Sequence, residues 1–219
     1  MKLALIIMGE MNVGKDTLAL QFKALAEAEG RTYERRAFAD PLKRIVADIA
    51  CLGRGTLPST TLASLHDQAQ KLAPYLVAGN GSVSELPCPK QMGFGDVPLT
   101  RRRLLQWLGT DVLRAHLGAD VFIHAATHDV TADVVAFTDA RFANEVRSAR
   151  DAMELRGYKV VVIRVTDPCA VNNGPVHVSE TDALVSVADD VTVLNTKADG
   201  LGHLAATAAA LWASPVFTE

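Results

Sequence analysis

The sequence predicts an α/β fold: three layers, with a five-stranded parallel sheet between helices and one long insert. Three observations predict it. Apolar runs rich in Val and Ile recur without alternation, stretches of helical period lie between them, and the interval 53–100, rich in glycine and proline, breaks the rhythm. Runs that are apolar at successive positions suit strands covered on both faces, and strands alternating with helices imply right-handed crossovers in a parallel sheet.

In chain order, the first strand is "LALIIM" (3–8), followed by a loop and a helix with Leu18, Phe22 and Leu25 on one face. "YERRAF" (33–38) is a weaker strand. "VVAF" (134–137), "KVVVIRV" (159–165) and "DVTVL" (190–194) complete the five. Phe142, Val146, Ala149 and Met153 mark a helix after the third strand, and Leu201, Leu204, Ala208 and Leu211 one near the C-terminus. Gly30 and Gly157 stand where helices should stop. One compact domain, 1–219, is expected, with 53–100 as a lid or substrate-binding insert, since so long an irregular stretch is uncommon unless it serves a site; the alternative is a partly disordered surface excursion.

Composition narrows the function. With 49% hydrophobic and 21% charged residues and a net charge of -3, the chain reads as globular. No basic run exceeds Arg101 to Arg103, so long nucleic acid is not expected as a partner. The N-terminal apolar run is too short for a membrane span or signal peptide. Cys51, Cys88 and Cys169 are odd in number and widely spaced, which suits a reducing cytoplasm rather than a disulfide framework.

The stretch "GEMNVGKDT" (9–17), between a strand and a helix, has the GxxxxGK spacing of a phosphate-binding loop. Glycines let backbone N–H groups wrap an anion, and the helix start adds its positive dipole end. Gly9, Asn12, Val13 and Gly14 form the loop, and Lys15 reaches the β- and γ-phosphates. Asp16 stands where a hydroxyl usually holds Mg²⁺, with Thr17 one residue later. Asp16 either takes the metal position, directly or through water, or complements the helix dipole.

Three further segments bear on the second substrate. In "TRRRLLQWLGTDVLRAHLG", a regular α-helix places Leu104, Leu105, Leu108, Val112 and Ala115 on one arc. The opposite arc carries Arg102, Arg103, Gln106, Thr110 and Arg114, a set able to hold a phosphate and a base edge, or a solvated face. In "VVAFTDARFANEVRSARD", Asp139 ends a buried strand, where open α/β sheets present ligands, and Arg141 follows. Asp139 is a ligand through water or a helix cap; Glu145, Arg147 and Arg150 read as a solvated helix face. In "FADPLKRIV", Asp40 is equally a cap or a ligand, and Lys43 and Arg44 can meet a monophosphate or water. His124 and His128 have metal-pair spacing but no well-placed third ligand. "SETD" (179–182) reads as a capping box behind His177.

With "GKDT" (14–17), "RRLLQWLGTD" (102–111), "DARFANE" (139–145) and "HVSE" (177–180) in this order, the chain resembles the deoxynucleoside monophosphate kinases of large tailed bacteriophages, within the P-loop kinase superfamily. The resemblance implies an adenylate-kinase-like P-loop kinase fold, ATP with Mg²⁺, and a deoxynucleoside 5′-monophosphate as acceptor. It implies Lys15, Asp16 and Thr17 at the ATP phosphates and metal, and Arg102, Arg103 and Gln106 at the acceptor. Asp139 and Arg141 fall near the transferred group, with Asp139 as a further metal position. The location implied is the cytoplasm, the host's for a phage-encoded chain. Kinases of phosphomevalonate or dephospho-coenzyme A, a kinase of hydroxymethylated bases in DNA, and a nucleotide-sensing module without turnover remain open, as does homodimerisation.

Overall fold

The computed structural model describes residues 1–10, 12–50, 105, 107–167, 186–196 and 200–218. The insert 53–100, Arg102, Arg103, Gln106, His177 and Ser179 lie outside the described residues. The chain falls into two compact units, Met1–Asp40 with Phe122–Glu219, and Pro41–Val121.

The first unit is built on strand β1 (Lys2–Gly9). Helix α1 (Lys15–Ala28), strand β2 (Tyr33–Arg36) and the start of helix α2 (Ala39–Ala50) follow. After the second unit come strand β3 (Val134–Ala140), strand β4 (Tyr158–Thr166) and strand β5 (Val191–Leu194). The sheet has five strands in the order β2-β3-β1-β4-β5, every pairing parallel. This is the predicted α/β architecture.

Residues Leu3, Leu5 and Ile7 of β1 join Val134, Ala136, Val161 and Ile163 beneath α1 and the C-terminal helix Gly200–Trp212. Ala4, Ile6 and Met8 join Val135, Phe137 and Val162 under the helices Val121–Thr127 and Ala143–Leu155. Both sides of β1 are therefore dry, which is why its sequence shows no alternation. The helix Gly200–Trp212 ends in a short turn of helix, Pro215–Thr218, whose Phe217 stacks on Phe22 at 5.4 Å between ring centroids. Gly30 and Gly157 do end α1 and the helix Ala143–Leu155, at φ 71° and 79°, in the left-handed region that glycine enters most cheaply.

Two departures follow from local geometry. The ladder between β1 and β3 shifts after Ile6↔Phe137, so that Met8 pairs with Ala140. β3 thus spends one extra residue across Thr138 and Asp139, a bulge that re-aims both side chains at the end of the strand. The second strand, expected to run to 38, leaves the ladder at Arg36, because Phe38 N donates to Asp139 Oδ1 at 2.7 Å instead of to a neighbouring strand.

The second unit contains most of α2 and a helix expected to wind regularly. Over Trp107–Arg114 it is instead a π-helix, continuing as a single α-turn, Ala115–Leu117. Its hydrogen bonds span five residues, so side chains advance less per residue than in an α-helix. The two arcs drawn at regular α-spacing are corrected accordingly: Trp107, Leu108 and Gly109 are buried, whereas Val112 is only partly buried and Ala115 is exposed. Gly109 packs closely on Leu42: a Cβ there would lie 2.6 Å from Leu42 Cδ2 and would push the tip of that side chain aside. Among the described residues no helix is long and apolar enough to cross a membrane.

Candidate phosphate-binding site

The loop between β1 and α1 hangs from the C-terminal end of the sheet's central strand, where parallel sheets present ligands. Asn12 has φ 64° and Gly14 φ 98°, both left-handed. Left-handed residues set among ordinary ones curl successive backbone N–H groups toward one side, forming an anion-binding nest. The first hydrogen bond of α1 runs from Leu18 N to Gly14 O at 2.9 Å, so the amides before Leu18 have no acceptor within the helix and suit an anion. Lys15 lies across the loop, its Nζ donating to Gly9 O at 2.9 Å and also to Glu10 O.

The loop is braced from beneath by a residue the motif did not reveal. Asn195, 6% exposed and just past β5, donates its side-chain amide to Val13 O at 2.8 Å, and its own N–H donates to Thr166 O. Space there is tight: a Cβ on Gly14 would lie 2.5 Å from Asn195 Nδ2, and one on Gly9 would lie 2.3 Å from Val165 O. Both glycines of the motif are thus demanded by the close approach of Asn195 and Val165.

Asp16, in the first turn of α1, accepts a hydrogen bond on Oδ1 from Arg35 Nε at 3.0 Å, and Arg35 Nη2 lies 2.9 Å from the same oxygen. Partial burial alone would raise its carboxyl, but the Thr138 hydroxyl, Arg35 and Lys15 together outweigh burial and hold it below the ordinary carboxylate range. Arg35 also approaches Asp40, with Nη1 3.8 Å from Oδ2. Neither Arg35 nor Thr138 was singled out in the sequence, Arg35 because a charge in a short, weak strand looks like any surface charge.

Asp139 does not cap the helix that follows it. Its two oxygens accept from Phe38 N at 2.7 Å and Ala39 N at 3.1 Å, so it caps α2 from a different strand. Asp40 accordingly sits inside the first turn of α2, not at its cap. Glu145 corrects the reading of a solvated face. At 3% exposure it is buried, and Oε2 accepts from Arg141 N at 2.8 Å and Phe142 N at 3.1 Å, fixing the turn that carries Arg141. Arg147 and Arg150 fit the expected face better, reaching Ser186 O and Asp190 from an exposed and a partly exposed position. The Arg141 side chain is exposed, and among the described residues its guanidinium has no hydrogen-bond or ion-pair partner.

The first unit therefore brings together Gly9, Asn12, Val13, Gly14, Lys15, Asp16 and Thr17 in one loop and helix start, with Asp40 joined to Asp16 through Arg35. Thr17 is half-buried. Lys43, Thr110 and Arg114 belong to the second unit, where Lys43 and Arg114 are partly exposed and Thr110 is exposed. Oxygen donors suit a hard divalent cation, and the Asp16 carboxylate and the Thr17 hydroxyl at the start of α1 are of that kind.

Neither a protein-family model nor a curated protein matches the chain. Among solved structures it is similar to an APS kinase mutant from Mycobacterium tuberculosis, at 11% identity and a TM-score of 0.41, covering 97% of this chain and 98% of that one. It is also similar to a gluconokinase from Sinorhizobium meliloti 1021, at 13% identity and a TM-score of 0.34, covering 96% of this chain and 93% of that one.

Proposed function

We propose that this chain is an ATP-dependent kinase that transfers the γ-phosphoryl group to a deoxynucleoside 5′-monophosphate. The observation that carries the kinase reading is the nest at Asn12 to Gly14, opening onto the start of α1 with Lys15 laid across it. The acceptor rests on the sequence pattern of Arg102, Arg103 and Gln106 followed by Asp139 and Arg141.

The chemistry asked of these residues is positioning and charge neutralisation. The loop amides and Lys15 hold the donor phosphates, Lys15 leaving its loop carbonyls to do so. Mg²⁺, when bound at Asp16 and Thr17, with Asp139 acting through water, supplies charge that offsets the phosphate oxygens. An oxygen of the acceptor phosphate attacks the γ-phosphorus in line as the bond from that phosphorus to the β-γ bridging oxygen breaks, and ADP leaves with the electron pair. That acceptor oxygen is already anionic, so no strong general base is needed. Arg141, with its side chain exposed and its backbone held by Glu145, neutralises charge on the group in flight.

The test is incubation with ATP, Mg²⁺ and each deoxynucleoside monophosphate in turn, with chromatography for the diphosphate and ADP. Diphosphate from at least one acceptor, lost in Lys15→Ala, is the expected result. ADP without diphosphate would refute the acceptor, and no turnover with any phosphorylated acceptor despite ATP binding would favour a sensing module.

A further inference from the structure

Asp16 stands between two unlike neighbours. On one side is Thr138, 2% exposed and re-aimed by the bulge in β3. Among the described residues its Oγ1 is buried without a partner at hydrogen-bond geometry, and the hydroxyl acts to lower the Asp16 carboxyl. On the other side is Arg35, which places two nitrogens on the single oxygen Oδ1, at 3.0 and 2.9 Å, rather than forking across both oxygens. A guanidinium doubled onto one carboxylate oxygen covers the atom a hard cation would seek. Its third nitrogen already leans toward a second carboxylate, Asp40, at 3.8 Å. The arrangement is exposed, with side-chain exposures of 41% for Arg35 and 68% for Asp16, so the guanidinium can move without unpacking the core.

We propose that Arg35 is a resident stand-in for the divalent cation at Asp16: it holds the carboxylate beside Thr138 and yields Oδ1 to the arriving cation by moving over to Asp40. The inference rests on the phosphate-transfer reading for the cation's purpose, and makes Arg35 a positioning residue with Asp40 as its alternative partner. Arg35 therefore competes with the metal. An exposed ion pair shifts such an equilibrium by at most about five-fold, so the competition is mild and leaves the site loadable.

The experiment measures Mn²⁺ binding to the full chain by the loss of the free-ion paramagnetic resonance signal, with and without a non-hydrolysable ATP analogue, whose own binding is followed separately by calorimetry. Arg35→Ala is expected to bind Mn²⁺ about two- to five-fold more tightly than wild type. Arg35→Lys, which keeps the charge, should stay near wild type. Asp40→Asn should weaken Mn²⁺ binding in the wild-type background, and by less in the Arg35→Ala background, because the guanidinium that needs Asp40 is gone. Equal or weaker Mn²⁺ binding in Arg35→Ala, or an Asp40→Asn effect undiminished in that background, overturns the inference alone if the wild type binds the analogue. A folded wild type that binds neither analogue nor Mn²⁺ overturns the inference together with the phosphate-transfer reading.

Discussion

Replacing Asn195 separates a hydrogen bond from mere space filling beneath the phosphate loop. Its amide donates to Val13 O at 2.8 Å from a position only 6% exposed, so Asn195→Ala leaves that buried carbonyl without its donor. An orphaned buried acceptor costs about 1–3 kcal/mol, which for a chain of this size corresponds to a fall in Tm of about 2–4 °C per kcal/mol. Asn195→Asp is nearly isosteric and tests the donor directly. At pH 7 a carboxylate oxygen would face the Val13 carbonyl oxygen, two acceptors in contact, and the variant should be less stable than Asn195→Ala. Protonated, the same carboxyl can donate and restore the bond. Burial raises its folded-state pKa above the unfolded value of about 3.9, so the added stability is present below that value and is lost as pH rises through the folded pKa. Urea denaturation of the three proteins at pH 4.5 and pH 7 reads this out, with the KM for ATP rising in both variants because the loop loses its brace. Equal stability of the Asp and Ala variants at both pH values would refute the claim that this amide holds the loop.

Other expectations come from single contacts. Gly14→Ala should abolish measurable nucleotide binding and destabilise more than Gly30→Ala. Both have left-handed φ, but only Gly14 would drive a Cβ to 2.5 Å from Asn195 Nδ2, while Gly30 faces open space. Strain alone costs about 1–2 kcal/mol, so thermal unfolding should place Gly30→Ala there and Gly14→Ala beyond it. Glu145→Ala removes the acceptor of two backbone amides and should cost about 2–4 kcal/mol by urea denaturation, with kcat falling as the turn carrying Arg141 loosens. At Asp189, burial acts to raise the carboxyl but is outweighed by the Thr192 hydroxyl and Arg164, which hold it below the ordinary range. Its contribution is therefore complete above about pH 4 and lost as pH falls through the depressed folded value, so the gap between wild type and Asp189→Asn should be open at pH 6 and close in acid.

Much of the framework was legible because its physics is local. The runs in β1, β3 and β4 are apolar at successive positions because each strand is covered on both sides, and the GxxxxGK spacing needs only neighbours in sequence. The supports of the site were hidden because their partners are distant. Asn195 meets a carbonyl 182 positions away, and Asp139 caps a helix about 100 positions before it. Glu145 reads as a solvated charge until the turn it closes is seen. The helix from Trp107 misled for another reason: periodicity assumes a winding, and here the winding is π.

The central place of β1 has a consequence for how the chain is made. Its partners are β3 and β4, beginning at Val134 and Tyr158, so β1, which ends at Gly9, is made long before either edge can be filled. At about 5–20 residues per second, that delay is about 6 to 25 seconds. Through it an apolar strand with two open edges stays exposed to any similar strand nearby. Yield from crowded expression should therefore suffer first, and fewer nascent chains at a time or a chaperone that shields "LALIIM" should recover folded protein where changes to the finished surface do not.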